Sequence, residues 1–322
     1  MENFFLKIKD IVFRLNLDAE IALQMLERVP SLCNSMSQSS YNIDVICTKV
    51  ENMIFTDNKF LNQQEPDIND TCYYREIFDL GIFKYLRKEK LLKIAYLDID
   101  KYPFNSFEVV VDTILQFIYL IMLEFEIVPL HAAVLAYKKR AVLLFGNSGS
   151  GKTTLELSLL NSGFLFFSDD IAFLDEGNLI YNSGERIIAC SKTSEEIIHK
   201  CFAKTFLDIE NKNAVNKQII SINSTMASEH SELVPYMIVF PMPGICEELL
   251  KKIPAKSAFI ELIKLTISAQ FSSEQKQLYM KRLKNLSENT QTFQYFWTSQ
   301  KNDLKEICHN IREICEQGGE FL

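Results

Sequence analysis

Glycine is scarce in this chain: 10 residues in 322, about 3%, where average usage is about 7%. That excludes a collagen-like or Gly-rich repeat protein. An excess of positive charge is also missing. Lys and Arg number 34 against 42 Asp and Glu, a formal net charge of −8. A free-standing nucleic-acid binder needs a basic face to neutralise phosphates. The local clusters Lys138-Lys139-Arg140 and Lys251-Lys252 read as solvated turns or helix faces instead. No C-x-x-C pair occurs among the eight cysteines, so neither a zinc knuckle nor a thioredoxin-type site is signalled. Scattered Cys in a chain this long read as reduced, buried, small hydrophobes. Long apolar runs are absent too. Phe107 to Phe125 is the most apolar stretch, and its longest uncharged run is 11 residues, too short to span a bilayer. The N-terminal MENFFLKIKDIVFRLNL carries charges inside its apolar run and so lacks a signal-peptide core. The expectation is a cytoplasmic protein with no membrane and no nucleic-acid partner.

What remains is 48% hydrophobic and 24% charged, the composition of a globular chain. Its length predicts two domains. Residues 1–126 read as a β-rich N-terminal module ending in a long helix over about 106–125. Strand patterns lie at Phe5–Leu15, Asp44–Val50, Ile82–Leu86 and Leu91–Leu97, the last two flanking a hairpin turn. Asp18–Arg28 has helical spacing and Pro30 stops it; Ser35–Ser40 and Asn62–Thr71 are polar breaks. Residues 127–322 read as the second domain. Strands are expected at Leu130–Ala136, Ala141–Phe145, Phe164–Phe167, Gln218–Asn223, Tyr236–Phe240 and Phe293–Trp297. Helices are expected at Thr153–Asn161, Ser257–Ser268, Ser273–Leu286 and Asp303–Glu316, the last with Leu304, Ile307, Cys308, Ile311, Ile314 and Cys315 inward.

Three of the ten glycines fall between Gly146 and Gly151. Gly146-Asn147-Ser148-Gly149-Ser150-Gly151-Lys152-Thr153-Thr154 fits the phosphate-binding pattern G-x-x-x-x-G-K-[ST], the Walker A loop. Glycines let consecutive N–H groups converge on phosphate oxygens, and the following helix offers its positive N-terminus. Lys152 then reaches the β- and γ-phosphates of ATP, and the Thr153 hydroxyl ligates Mg²⁺. Thr154 reads equally as a phosphate contact and as a first-turn packing residue. An apolar strand leads into the loop and a helix leads out, as the motif requires.

Asp169 follows Lys152 by 17 residues, room for a helix, the Gly163 turn and a short strand. That spacing returns the Asp169-Asp170 pair to the mouth of the phosphate loop. Phosphoryl transfer uses two carboxylate roles: one group at the metal, one that accepts or orients the nucleophile's proton. His131 reads either as a core histidine or as a site residue. Arg186, after Glu185, and Lys217 are candidates for phosphate or substrate contacts, with surface charge as the other reading.

These residues resemble the HPr kinase/phosphorylase family. The resembling string is Leu130-His131-Ala132-Ala133-Val134, then Ala141 through Thr154, then Gly163-Phe164 and Ser168-Asp169-Asp170. The layout looks like the HPr-kinase-like serine kinases of peptide-modification clusters, including the lasso-peptide type. The close match covers about residues 128–175. The resemblance implies a mixed α/β P-loop kinase core of the type shared with phosphoenolpyruvate carboxykinase, with a helical C-terminal segment. It implies Asp170 as general base, Asp169 with Thr153 at Mg²⁺, and His131 near the transferred phosphate. Asn147 stands where the bifunctional enzymes commonly carry Asp, and their later Glu-x-Arg-Gly-Leu-Gly signature is not present. The resemblance therefore carries neither the reverse dephosphorylation nor HPr as acceptor.

The function expected is an ATP-dependent kinase, a transferase acting on a Ser- or Thr-type hydroxyl of a peptide or protein. The alternatives are a metabolite-hydroxyl kinase and a nucleotide-binding regulator without transfer. Against the first, Arg186, Arg282 and Arg312 are too scattered for an Arg-rich lid; against the second, Lys152, Thr153 and both aspartates are present. A homo-oligomer stays open.

Overall fold

The computed structural model describes residues 2–29, 43–50, 71–77, 81–97, 106–191, 194, 196, 209–214, 217–222, 224–244, 248–266, 271–297 and 301–317. The chain divides into two compact units, Met1–Ile121 and Met122–Leu322.

The first unit carries a six-stranded sheet. Its strands are β1 (Glu2–Ile8), β2 (Ile11–Leu17), β3 (Ile43–Val50), β4 (Thr71–Ile77), β5 (Gly81–Leu86) and β6 (Leu91–Leu97), in the order β1-β2-β3-β6-β5-β4. The sequence pattern over Phe5–Leu15 is one strand; the structure makes it two, paired as a hairpin. Lys9 takes the left-handed conformation, φ 54°, and the polar Lys9-Asp10 pair forms the turn. Helix α1 (Ala19–Arg28) begins where expected. The Asp18 carboxylate accepts the Ile21 N–H at 3.0 Å, satisfying one of the helix's free first-turn donors. Pro30 and the two polar breaks lie outside the described residues, except that Thr71 opens β4. Helix α2 (Ser106–Met122) runs on into a short 3₁₀ turn at Leu123–Phe125.

The second unit holds the Gly146–Thr154 loop. Its strands are β7 (Val128–His131), β8 (Ala133–Tyr137), β9 (Arg140–Leu144), β10 (Leu165–Ser168), β11 (Ile171–Leu174), β12 (Ile180–Asn182), β13 (Ile187–Cys190), β14 (Ile209–Ala214), β15 (Lys217–Ser221), β16 (Glu232–Pro243), β17 (Leu250–Lys252) and β18 (Gln291–Trp297). Its helices are α3 (Lys152–Asn161), α4 (Ala255–Thr266), α5 (Ser273–Asn289) and α6 (Lys301–Gln317). The large sheet runs β10-β8-β9-β16-β12-β11-β7, with β18 pairing both β16 and β17. β13, β15 and β14 form a small separate sheet. Strand β16 is the spine: it runs parallel to β9 on one side and to β18 on the other.

Period-two alternation sends Ala133 and Leu135, Val142 and Leu144, Met237 and Val239, and Phe293 and Tyr295 into one buried cluster. From α3 come Leu155 and Leu159, and from α6 come Leu304, Ile307, Cys308, Ile311 and Cys315. Helix α3 is buried nearly all round, from Lys152 through Leu160 apart from Thr153 and Thr154. Packing of that kind anchors the loop at its N-terminus against a rigid floor.

The pattern over Leu130–Ala136 also resolves into two strands, β7 and β8, with the break at Ala132. There the Ala132 N–H turns to the carbonyls of Leu130 (3.0 Å) and Asp170 (3.1 Å). As a result His131 ends β7, opposite Ile171, and does not open the strand leading toward the phosphate loop.

Candidate active site

Strand β9 ends at Leu144, and the Phe145 N–H reaches across to the Val239 carbonyl at 3.0 Å. The loop then turns tightly, the Ser150 N–H returning to the Asn147 carbonyl at 3.0 Å. Gly146 permits this closure: a Cβ there would stand 2.2 Å from Ser150 Oγ. At Gly151 φ is +98°, a conformation that L side chains rarely adopt. The Gly151 carbonyl accepts from the Leu155 N–H at 3.0 Å as α3 begins. Asn147, Ser148 and Gly149 are exposed at the tip.

A cavity of about 430 Å³ opens beneath the loop. Gly146, Asn147, Ser148, Gly149, Gly151, Lys152, Thr153 and Thr154 line one side of it. His131 and Asp170 face it from the strand ends, with Ala189, Ser191 and Ser194 on a further wall. Ser150 is buried and Asp169 is 7% exposed; neither lines the cavity. The structure thus brings together the loop, His131 and Asp170. Arg186 is not among the described wall residues, and the Lys217 side chain lies outside the described ones. Arg186 is half-buried after the Gly184 turn, and its carbonyl accepts the Ile222 N–H; Lys217 opens β15 in the small sheet.

Asp169 and Asp170 form the tight turn between β10 and β11. The Ile171 N–H returns to the Asp169 carbonyl at 2.6 Å across Asp170, whose φ is +55°. Three-residue turns with a positive central φ are rare and strained, and backbone strain of this kind collects at functional sites. Ser168 braces the turn, its hydroxyl donating to the Ile171 carbonyl and lying 3.3 Å from Ser183 Oγ. The outcome is divergence. Asp170 points outward, its side chain 53% exposed, and meets Lys152 Nζ at 3.0 Å. Asp169 points inward and accepts backbone N–H bonds from Asp170, at 2.8 Å, and from Ala189.

Charge here is unbalanced. Burial pushes the Asp169 carboxyl up to about 7, and the neighbouring Asp170 adds to the rise; Lys152 and the two N–H groups pull the other way. Glu156, one helical turn after Lys152, is 0% exposed. Neither of its carboxyl oxygens meets a hydrogen-bond donor, and the Asp169 carboxyl is its close neighbour. Two carboxyls can bond each other only when one carries a proton. Burial, then Asp169, raises Glu156 well above the ordinary carboxylate range.

Sequence reading missed Glu156, although its spacing four residues after Lys152 puts both on one face of α3. It also missed the serine wall, where Thr154 Oγ1 and Ser191 Oγ each lie 3.1 Å from Ser194 Oγ. No local signal marks those serines.

Among the described residues, no group of three or more His, Cys, Asp or Glu is placed to hold a metal alone. Mg²⁺ in nucleotide sites needs fewer protein ligands, since phosphates and water supply the rest. Asp169 has the chemistry for that, a buried carboxylate beside a second carboxyl with orphaned oxygens, but it sits behind the cavity wall and would have to turn toward it.

No protein-family model matches this chain, and no curated protein matches it. Among solved structures, the Hpr(Ser) kinase/phosphatase from Coxiella burnetii overlaps it at 14% identity and a TM-score of 0.32, over 59% of this chain and 91% of that one. So loose an overlap assigns neither fold nor activity. The mixed α/β architecture stands on the strands and helices themselves. No described helix is long and apolar enough to cross a membrane.

Proposed function

We propose that this chain is an ATP-dependent phosphotransferase of the HPr-kinase-like kind, acting on a Ser- or Thr-type hydroxyl of a peptide or protein. One observation carries the reading: Lys152 of the phosphate-loop motif and Asp170 meet at 3.0 Å at the mouth of one cavity. A cation for phosphate and a carboxylate for a proton are the two groups that hydroxyl phosphorylation needs side by side.

The loop from Gly146 to Thr154 cradles the phosphates with backbone N–H groups and the α3 N-terminus. Lys152 exchanges its ion pair with Asp170 for the β- and γ-phosphates. Freed from Lys152, Asp170 accepts the proton of the incoming hydroxyl as the new O–P bond forms and the bond to the ADP oxygen breaks. Thr153 and Asp169 would hold Mg²⁺, which offsets charge on the phosphates. His131 is exposed at the end of β7 and lines the cavity; in this reading it stands near the transferred phosphate. The half-exposed Asp170 and the exposed loop tip favour an acceptor carried on a longer chain over one that must be engulfed. Buried free thiols at Cys47, Cys190, Cys308 and Cys315 suit a reducing compartment, the cytoplasm.

The test is transfer from γ-labelled ATP with Mg²⁺ to candidate peptides and to small hydroxyl compounds. Asp170→Asn is expected to lower the rate about 10²- to 10⁴-fold. Transfer that survives intact in this variant would remove Asp170 as base. Transfer to small compounds alone would replace the peptide acceptor with a metabolite.

A further inference from the structure

The chain has one tryptophan, and it sits on the phosphate loop. Trp297 ends β18, where its backbone carbonyl accepts the Gly244 N–H at 3.4 Å. Its indole Nε1–H donates to the Ser150 carbonyl at 2.6 Å. A Cβ on Gly151 would lie 2.6 Å from that nitrogen and 3.0 Å from Cε2, so the ring covers the outer side of the Ser150–Gly151 peptide.

A trans peptide points its C=O and N–H in opposite directions. Fixing the Ser150 carbonyl on the indole therefore aims the Gly151 N–H the other way, and Gly151 is a wall of the cavity whereas Ser150 is not. Phosphate loops work by presenting such N–H groups. A flipped Ser150–Gly151 peptide would instead offer a carbonyl oxygen to an anion. The glycine makes the flip cheap, because no side chain opposes it; the indole opposes it. The ring stands on a strand paired along Met237 to Pro243 of β16, and β16 pairs β9, which launches the loop. The clamp and the loop thus rest on one continuous sheet.

We propose that Trp297 is a positioning residue for anion binding: its indole N–H holds the Ser150–Gly151 peptide with the N–H facing the phosphate, and its emission reports whether the loop is occupied. The proposal rests on the loop being a phosphate site, as argued above. The test uses the full chain with Mg-ADP and, separately, tripolyphosphate as probes. Calorimetry gives affinity, and the single tryptophan, excited at the red edge where the tyrosines barely absorb, gives a separate signal. Emission of the wild type is expected to shift and to saturate with the stoichiometry that calorimetry finds. Trp297→Phe keeps a ring over Gly151 and removes the N–H. It should bind both probes about three- to tenfold more weakly, the worth of one neutral hydrogen bond, with its probe-free thermal midpoint near that of wild type. Equal affinity in wild type and Trp297→Phe overturns the clamp and leaves the phosphate site standing. Emission that stays fixed while calorimetry shows binding overturns the reporter role, and needs no variant to fold. Failure of the wild type to bind either probe removes the phosphate site itself, and the clamp with it.

Discussion

The two units treat their carboxylates differently. In the first, Asp44 lies directly across from Arg14 on the neighbouring strand and accepts from two of its guanidinium nitrogens, at 2.5 and 2.8 Å. Asp112 likewise pairs with Arg28. In the second, Asp169, Asp170 and Glu156 gather around Lys152, and Lys152 is ion-paired only with Asp170 among them. A structural carboxylate comes with its cation built in. A set of three carboxyls around one cation, two of them buried, costs folding free energy that a bound cation and a phosphate-engaged lysine would rearrange. The contrast is what the proposed cation and phosphate site would require.

The largest expected effect tests the outward member of that set. Asp170→Asn should cut transfer by about 10²- to 10⁴-fold. Mg-ADP affinity should hold or rise slightly, because Asp170 no longer competes with phosphate for Lys152. An equal loss in affinity and rate would make Asp170 a binding group instead.

Next comes the inward member. The folded-state value of Asp169 stands at about 7, above its ordinary 3.8. The folded chain therefore binds more protons than the unfolded one between those values, and stability falls as pH rises through that window. The stabilisation is complete below about pH 4 and gone above about pH 7. Without metal, Asp169→Asn should be more stable than wild type at pH 8, by on the order of a few kcal/mol, with the gap closing toward pH 5. Saturating Mg-ADP should favour wild type most at high pH, where Asp169 is ionised. Thermal melts across pH 5 to 8.5 give both readings. A gap that does not change with pH would mean that Asp169 does not carry the burden assigned to it.

Glu156→Gln probes the orphaned neighbour. Its carboxyl oxygens have no donor, whereas the amide of Gln can donate to Asp169. A gain of about 1–2 kcal/mol in metal-free stability at pH 8 is expected. A loss of that size would mean that the carboxyl proton already serves as the donor.

The parts of this site legible from the sequence are those whose chemistry is local. A phosphate loop must place glycine, lysine and a hydroxyl at fixed offsets, because consecutive N–H groups have to turn inward. Asp169 and Asp170 follow from counting a helix, a turn and a strand. Glu156 was hidden because an acid in a short helix reads as its wet face; burial of α3 on nearly every side depends on strands and a helix far away in sequence. Trp297 is 147 residues from Ser150, and only the parallel run of β9, β16 and β18 brings them together. The break at Ala132 has the same origin, since its N–H is drawn to a carbonyl at Asp170. Periodicity predicts elements; it carries no record of which distant strand lies alongside.

The smallest effect belongs to the first unit and closes the comparison. Arg14 and Asp44 are partly exposed, with side chains 35% and 24% accessible, and their fork geometry is good. Exposed pairs of this kind contribute about 0.2–1 kcal/mol. Arg14→Met keeps most of the aliphatic packing and removes the charge, so the melting midpoint should drop only slightly. Because the Asp44 it leaves behind is a quarter exposed, water takes over most of its solvation. Raised salt should shrink the difference between wild type and variant further. Mg-ADP binding and transfer should be unchanged. If Arg14→Met weakened nucleotide binding as Trp297→Phe is expected to, the carboxylates of the first unit would no longer be purely structural, and the division between the two units would fail.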